Sequence, residues 1–589
     1  MTKSLRMLLM SILAALALFA VACGDDEETG GGSADSKQAA PTAGEGQPQG
    51  KQGGVLEQSG SSDVDYLDPG HTYYTGGYQI AFATGRPLYG FKPGEEQPVP
   101  DLAEGEPQIA EDAKSITVKI KPNVKFGPPV NRAVTSKDIK YAFERFFSEN
   151  VGGQYGTYFS SIEGVPEEPT KGVKDISGIT TPDDTTIEFK LARPEAAVVA
   201  AALVMPITIP VPEEYAKEFD AKNPSTYNTH VVATGPYMVE NDAEGKLTGY
   251  NAGKSIKLVR NPNWDKATDF KPAYLDGVNY KTNVSDAAVD AQQVLTGSKR
   301  ALAEDPPAAQ LQQAVERYKG QYVQVPAGGF RWFPLNMTIK PLDDLNVRKA
   351  ILAAFDRDAA RKARGGKFTG DLPTHFLPPG IPGFEEAGGM EGPGVDFLAN
   401  PRGDMALAQK YLKEAGYASG KIEGAEELLM ITANADPGKA QAEVAKAQLE
   451  KLGFKVNLRA VPQDAVYTEW CQVPAKKVAV CGGAAWFKDF NDPQSMLDPT
   501  FKGANITEQG NNNLPQLNNP EIDKAMDEAA LLTGDERYKA WGEIDKMITE
   551  QAAAVPFLWD KTTNIWSKDV QGVVNGYYTT LDLSFTSLK

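Results

Sequence analysis

Leu428-Leu429-Met430-Ile431-Thr432, a helical face of Val444, Leu449 and Leu452 closed by Gly453, and then the alternation Phe454, Val456, Leu458 decide the fold class. An apolar strand, an amphipathic helix and a second strand make a β-α-β unit, which favours parallel strands in a covered sheet. Just upstream, Met405, Ala408, Leu412 and Ala415 share one helical face that ends at Gly416. Much earlier, Ile116, Val118 and Ile120 alternate with polar residues. So do Ile187, Phe189 and Leu191 after the turn Asp183-Asp184, and Ile256 with Leu258; these are half-buried strands. Between the first two lies a helix with Thr135 as N-cap, Asp138 three residues on, and Ile139, Ala142, Phe143 and Phe146 on one face. Val134 and Ile139 are spaced for a hydrophobic staple. The expectation is a mixed α/β body, with antiparallel pieces early and doubly wound pieces late.

A chain of 589 residues is too long for a single hydrophobic core, so two or three domains are expected. At 41% hydrophobic and 23% charged it has an ordinary globular composition. A net charge of −18 argues against nucleic acid or an anionic surface as partner. Catalytic signatures are missing: there is no G-x-S-x-G elbow, no P-loop and no H-E-x-x-H. The histidines, His71, His230 and His375, lie far apart, so neither a metal nor a cofactor is expected. Asp63, Asp65 and Asp68 lack the glycine and glutamate of a calcium loop and read as a solvated turn.

Lys3 and Arg6 precede an apolar run from Leu8 to Ala22, which ends at Cys23 before the polar Gly24-Asp25-Asp26. Residues 1–22 read as a secretory signal. The cysteine at the cut resembles the lipobox of bacterial lipoproteins, whose thiol is diacylated with chains such as palmitate; the alternative is a plain signal peptide with an incidental thiol. Two acyl chains give stable membrane anchoring where one does not. Residues 23–52, rich in Gly, Ser, Ala, Gln and Pro, cannot bury enough surface to fold and read as a tether. The remaining cysteines, Cys471 and Cys481, read as a disulfide in an oxidising compartment, with two reduced core thiols as the alternative.

An ordered set of strings covers nearly all of the chain beyond the leader. Leu67-Asp68-Pro69 comes first, then Pro100-Asp101-Leu102-Ala103-Glu104 and Val124-Lys125-Phe126 leading into Val134-Thr135-Ser136-Lys137-Asp138-Ile139. Thr234-Gly235-Pro236-Tyr237, Arg260-Asn261-Pro262-Asn263-Trp264-Asp265 and Asp344-Leu345-Asn346-Val347-Arg348-Lys349-Ala350 follow, with Asp356-Arg357 and Pro378-Pro379-Gly380 behind them. Trp486-Phe487-Lys488-Asp489-Phe490-Asn491-Asp492-Pro493 is last. Together they resemble the extracellular solute-binding proteins of the peptide/nickel class, family 5, which feed ABC importers. One departure is Gly127-Pro128-Pro129-Val130-Asn131-Arg132, where that class commonly has Asp-Gly.

The resemblance implies a two-lobed α/β clamp of the type II periplasmic-binding-protein kind. Its first lobe would span 53–325 with an inserted subdomain at about 86–225, its second lobe 326–554, and 555–589 would return to the first. Hinge closure around a ligand would present both lobes to permease subunits. The chain would be a monomer on the outer face of the cytoplasmic membrane, and not an enzyme. By resemblance, Asp489 would salt-bridge a peptide's α-amine, Trp486 would wall the ligand main chain beside Ala485 with Phe487 packed behind it, and Tyr73-Tyr74-Thr75 would lie extended against the ligand backbone. Other solutes (a nickel chelate, an oligosaccharide) stay open, as does a secreted lipoprotein hydrolase.

Overall fold

The computed structural model describes residues 49–589 except Glu96; Cys23 and the leader lie outside the described residues. In chain order the elements that position the site begin with β1 (Val55–Ser59), α1 (Thr75–Thr84), β2 (Ser115–Lys119), α2 (Ser136–Phe146), β3 (Ile179–Asp183) and β4 (Thr186–Lys190). Next are β5 (Tyr237–Val239), β6 (Ser255–Arg260), β7 (Gly277–Lys281), β8 (Arg300–Leu302), β9 (Tyr322–Pro334), α3 (Arg357–Arg364) and α4 (Met405–Glu414). Then come β10 (Leu428–Ala433), α5 (Gly438–Lys451), β11 (Val456–Val461), β12 (Val480–Cys481), β13 (Ala484–Phe487), α6 (Gly534–Glu550) and β14 (Ala554–Ile565).

The first sheet runs β8-β1-β7-β6-β5. β1 is parallel to both β7 and β8, whereas β6 is antiparallel to β7 and β5, so this early sheet is mixed and contains the expected antiparallel pieces. Leu56, Leu258 and Val278 fill its core, and Trp566, Val570, Leu581 and Leu583 from the chain's end close it. A separate antiparallel sheet pairs β2 with β4 and β4 with β3. α2 lies against it, burying Ile139, Phe143 and Phe146 with Val118 and Phe189. Its start follows the sequence signal: Asp138 Oδ2 accepts from Thr135 N at 2.8 Å, completing a capping box.

The β-α-β unit folds as its pattern requires. β10 pairs in parallel with β11 from Leu428↔Val456 and with β12 at Met430↔Val480. α5 covers it with Ala442, Ala445 and Leu449, while Val444 is only partly buried at the edge of the core. The parallel sheet stops at three strands. Cys471 and Cys481 are joined by a disulfide, Cα–Cα 6.1 Å, tying the segment after β11 to β12.

β9 and β14 bridge the cores. They pair antiparallel from Tyr322↔Ile565 to Pro334↔Ala554. Val323 and Val325 pack into the core of the first sheet, whereas Phe330 and Trp332 pack among second-half residues. Two long strands therefore carry the chain from one core to the other.

Leu67-Asp68-Pro69 is not a solvated turn. Asp68 is buried, and its oxygens take Nη1 and Nη2 of Arg145 at 2.7 Å each. The same guanidinium holds Asp220 through Nε at 2.8 Å and Nη2 at 2.7 Å. Their side chains are 0–3% exposed, and charges so far from water stay ionised only when fully paired. The motif thus bolts the first strand's loop to α2. Arg145→Met should strand two buried carboxylates and cost about 3–5 kcal/mol in urea unfolding; a loss below about 1 kcal/mol would contradict this role.

Candidate ligand-binding site

β13 sets the site by its register on β9. Trp332 faces Ala484, Arg331 faces Ala485, Phe330 faces Trp486 and Gly329 faces Phe487, with Lys488 N donating to Gly328 O at 2.9 Å. Side chains alternate across a strand. Trp486 therefore shares the face of Phe330 and packs against that core, its indole N–H donating to Ser495 O at 2.9 Å. Ala485 and Phe487 turn the other way, with Arg331, whose guanidinium carbon lies 5.6 Å from the Phe487 ring centre. Phe487 is 36% exposed. The resemblance put Phe487 behind Trp486, whereas in the structure the two side chains lie on opposite faces of β13. At Gly329 a Cβ would sit 2.3 Å from the Phe487 ring, so only glycine lets the two strands pair beneath that side chain.

Asp489 follows two residues later and is 6% exposed. Its Oδ2 accepts from the hydroxyl of Tyr73 at 3.0 Å and from the hydroxyl of Tyr158, while its backbone oxygen accepts from Tyr577. Tyr158 also packs edge-on to Phe490, and Tyr73 lies 5.4 Å from Tyr155. These tyrosines come from the loop after β1, from the segment between α2 and β3 and from the chain's end. They converge on one residue, two of them on its carboxyl and Tyr577 on its backbone oxygen. Burial pushes that carboxyl up to about 7, although the two hydroxyls pull it down. Burial and Asp489 in turn hold the phenols of Tyr73 and Tyr158 well above their usual range, so both are donors at every ordinary pH.

Tyr74 keeps extended backbone, φ −92° and ψ 149°, but the extended stretch ends there. Tyr74 is the N-cap of α1 and Thr75 opens the helix. Asp65 shapes the bend, accepting from Thr72 Oγ1 at 2.7 Å, Tyr73 N at 2.6 Å and Tyr74 N at 3.0 Å. Tyr73 is hydrogen-bonded to Asp489, whereas Tyr74 is 50% exposed and Thr75 is exposed. The capping duty that could have claimed Asp489 belongs to Asp492, which accepts from Gln494 N at 2.8 Å and pairs with Arg537. Tyr158 and Tyr577 were not foreseen. The histidines have structural surroundings: His71 stacks on Tyr66, His230 on Phe219, and His375 bonds Asp545.

Comparison with known proteins places this geometry. The family described as bacterial extracellular solute-binding proteins, family 5 (middle), matches residues 97–508. The chain is 26% identical over 493 residues to the oligopeptide-binding protein OppA of Bacillus subtilis (strain 168), covering 80% of this chain and 83% of that one. It is 26% identical over 485 residues to heme-binding protein A of Haemophilus influenzae, covering 80% of each. A solved structure titled clavulanic acid biosynthesis oligopeptide binding protein 2 superposes with a TM-score of 0.79 at 24% identity, over 91% of this chain and 96% of that one. With two strands bridging separate cores, the likeness shows the fold, a two-lobed α/β clamp.

A hydrogen bond to a carboxylate favours its charged form. Tyr158→Phe should therefore move the Asp489 titration above about 7, read by carboxyl carbon NMR of the labelled protein. An unchanged or lower midpoint would show that the Tyr158 hydroxyl does not serve the anion.

Proposed function

We propose that this chain, which belongs to the family 5 bacterial extracellular solute-binding proteins, captures peptides in the cleft between its lobes and delivers them to an ABC permease. The lobes are 53–325 together with 555–589, and 326–554; a diacylated Cys23 and the segment 23–52 hold them at the outer face of the cytoplasmic membrane. The observation that carries the peptide reading is the Asp489 carboxyl, buried and held by the hydroxyls of Tyr73 and Tyr158. A peptide amine entering a closed cleft loses its water and needs such a partner. The phenols that hold the carboxyl reach it from outside its own strand, so closure and recognition meet at one group. Relatives named for oligopeptide binding support the choice.

A second reading, a non-peptide solute, is favoured by the relative named for heme binding, which matches at the same identity. The two part on one variant. Removing one partner of a buried charge pair costs about 2–5 kcal/mol, so Asp489→Asn should weaken tri-alanine binding at least about thirtyfold by calorimetry. N-acetylation of the peptide should cost the wild type as much and the variant little more. Independent, additive losses would remove Asp489 as the amine's partner. For the anchor, Cys23→Ser should release the protein into the medium; firm retention on membranes would sink the lipidated reading.

A further inference from the structure

Five lysines gather at the end of the first sheet where the folded body begins. Lys51 bridges to Leu588, and Lys589, the next residue, donates from Nζ to Lys568 O at 2.8 Å. Asp569 ties others to them. Its backbone oxygen accepts from Lys589 N at 2.8 Å, and its carboxylate accepts from Lys299 N at 2.9 Å and from the Ser298 hydroxyl. Lys319 joins through its neighbour Gly320, whose oxygen accepts the indole N–H of Trp566 at 3.2 Å, two residues before Lys568. The loops that carry these lysines therefore meet at one end, where the parallel strands β1 and β8 start.

All five are exposed, and none makes an ion pair among the described residues. Asp276 and Asp569 stand among them, but both carboxylates are engaged by backbone N–H groups, that of Asp276 by Gly54 N at 2.7 Å. Glu57 faces Arg300 in the register, and Glu316 is offset by its neighbour Arg317. This end is thus positive in a chain whose net charge is −18. Net charge speaks for the whole surface, whereas a partner meets the local field, which fades within about 10 Å at 0.1 M salt. Near an anionic plane the acidic remainder is repelled and this end is drawn in. Lysines that only solvate a body have no reason to collect from loops so distant in sequence.

The patch also has a direction. Lys51 lies where the segment 23–52 enters the folded body, so the proposed anchor and the lysines meet at one end. Tyr73 of the candidate site follows the opposite, C-terminal end of β1, about 17 Å along the strand. β9 likewise starts at this end with Tyr322 and reaches the register of β13 only at Gly329. A surface touched here leaves the ligand site uncovered. We propose that this lysine end rests on anionic phospholipid headgroups and holds the tethered clamp with its cleft clear of the membrane. Polybasic clusters reinforce acyl anchors in this way. The proposal rests on the anchored reading of Cys23 and adds an orientation that a tether alone does not impose.

Lysine acetylation rates, read by mass spectrometry on the full mature chain, test the contact. The chain is coupled to a maleimide lipid through Cys23, the thiol left free by the Cys471–Cys481 disulfide. On vesicles one-third phosphatidylglycerol at about 0.05 M salt, Lys51, Lys299, Lys319, Lys568 and Lys589 should react at least about fivefold more slowly than on pure phosphatidylcholine. Exposed Lys137 and Lys421, on other elements, should react equally on both. About 1 M salt should erase the difference. The double variant Lys319→Gln, Lys568→Gln, with unchanged Tm, should lose most of the protection at the other three lysines. Equal rates on the two membranes overturn the proposal, as does protection that extends to Lys137 and Lys421 or survives in the folded variant. Protection by millimolar inorganic phosphate in solution, but not by vesicles, overturns the lipid assignment. If Cys23→Ser leaves the protein firmly on cell membranes, the anchor reading fails, and the thiol-coupled vesicles still decide the lysine face.

Discussion

Taking the Asp489 carboxyl out of water is the constraint around which this molecule is arranged. A carboxylate in such a place costs several kcal/mol unless a cation or a set of donors faces it. Several other buried charges here are answered by opposite charge. Asp68 and Asp220 share Arg145, Asp492 takes both arms of Arg537, and Asp101 takes Arg86 and Lys271. Asp489 is answered by tyrosine hydroxyls instead. Paired clusters hold the frame together, and the carboxyl with only neutral donors retains its capacity to bind a cation; perturbed groups of this kind mark functional sites.

The bridging strands make that carboxyl conditional on closure. β9 and β14 fix β13, hence the direction in which Phe487 and Asp489 leave the second half, while Tyr73, Tyr158 and Tyr577 pack with the core of the β2–β4–β3 sheet. A rotation about the bridge that parted the two halves would pull the phenols from the carboxyl and return it to water, lowering its proton affinity. Lobe motion and charge state are thus linked through one group. Arg331 and Asp560 pair across the same bridge, β9 to β14.

Periodicity revealed the local elements, because their signals are local. The α2 cap at Thr135, the alternation of β2 and β4, and the β10-α5-β11 unit need only neighbouring residues to be read. The site depends on distant ones. Tyr158 meets Asp489 across 331 residues and Tyr73 across 416, and no window of sequence holds both partners. The order of Trp486 and Phe487 depends on which β9 residue each one faces, and a one-residue slip would exchange them. Asp68 looked solvated because its partner lies 77 residues away. One signal was present and passed over: Arg331 interrupts the apolar run Phe330-Arg331-Trp332-Phe333, and a charge within a core strand needs a reason.

A crystal structure of the mature chain with Ala-Ala-Ala bound tests the central claim most directly. The account predicts the peptide's ammonium nitrogen about 3 Å from an Asp489 carboxyl oxygen, between the lobes, with the main chain passing over Phe487. An ammonium left in solvent, with Tyr73 and Tyr158 still the sole donors to Asp489, would contradict it.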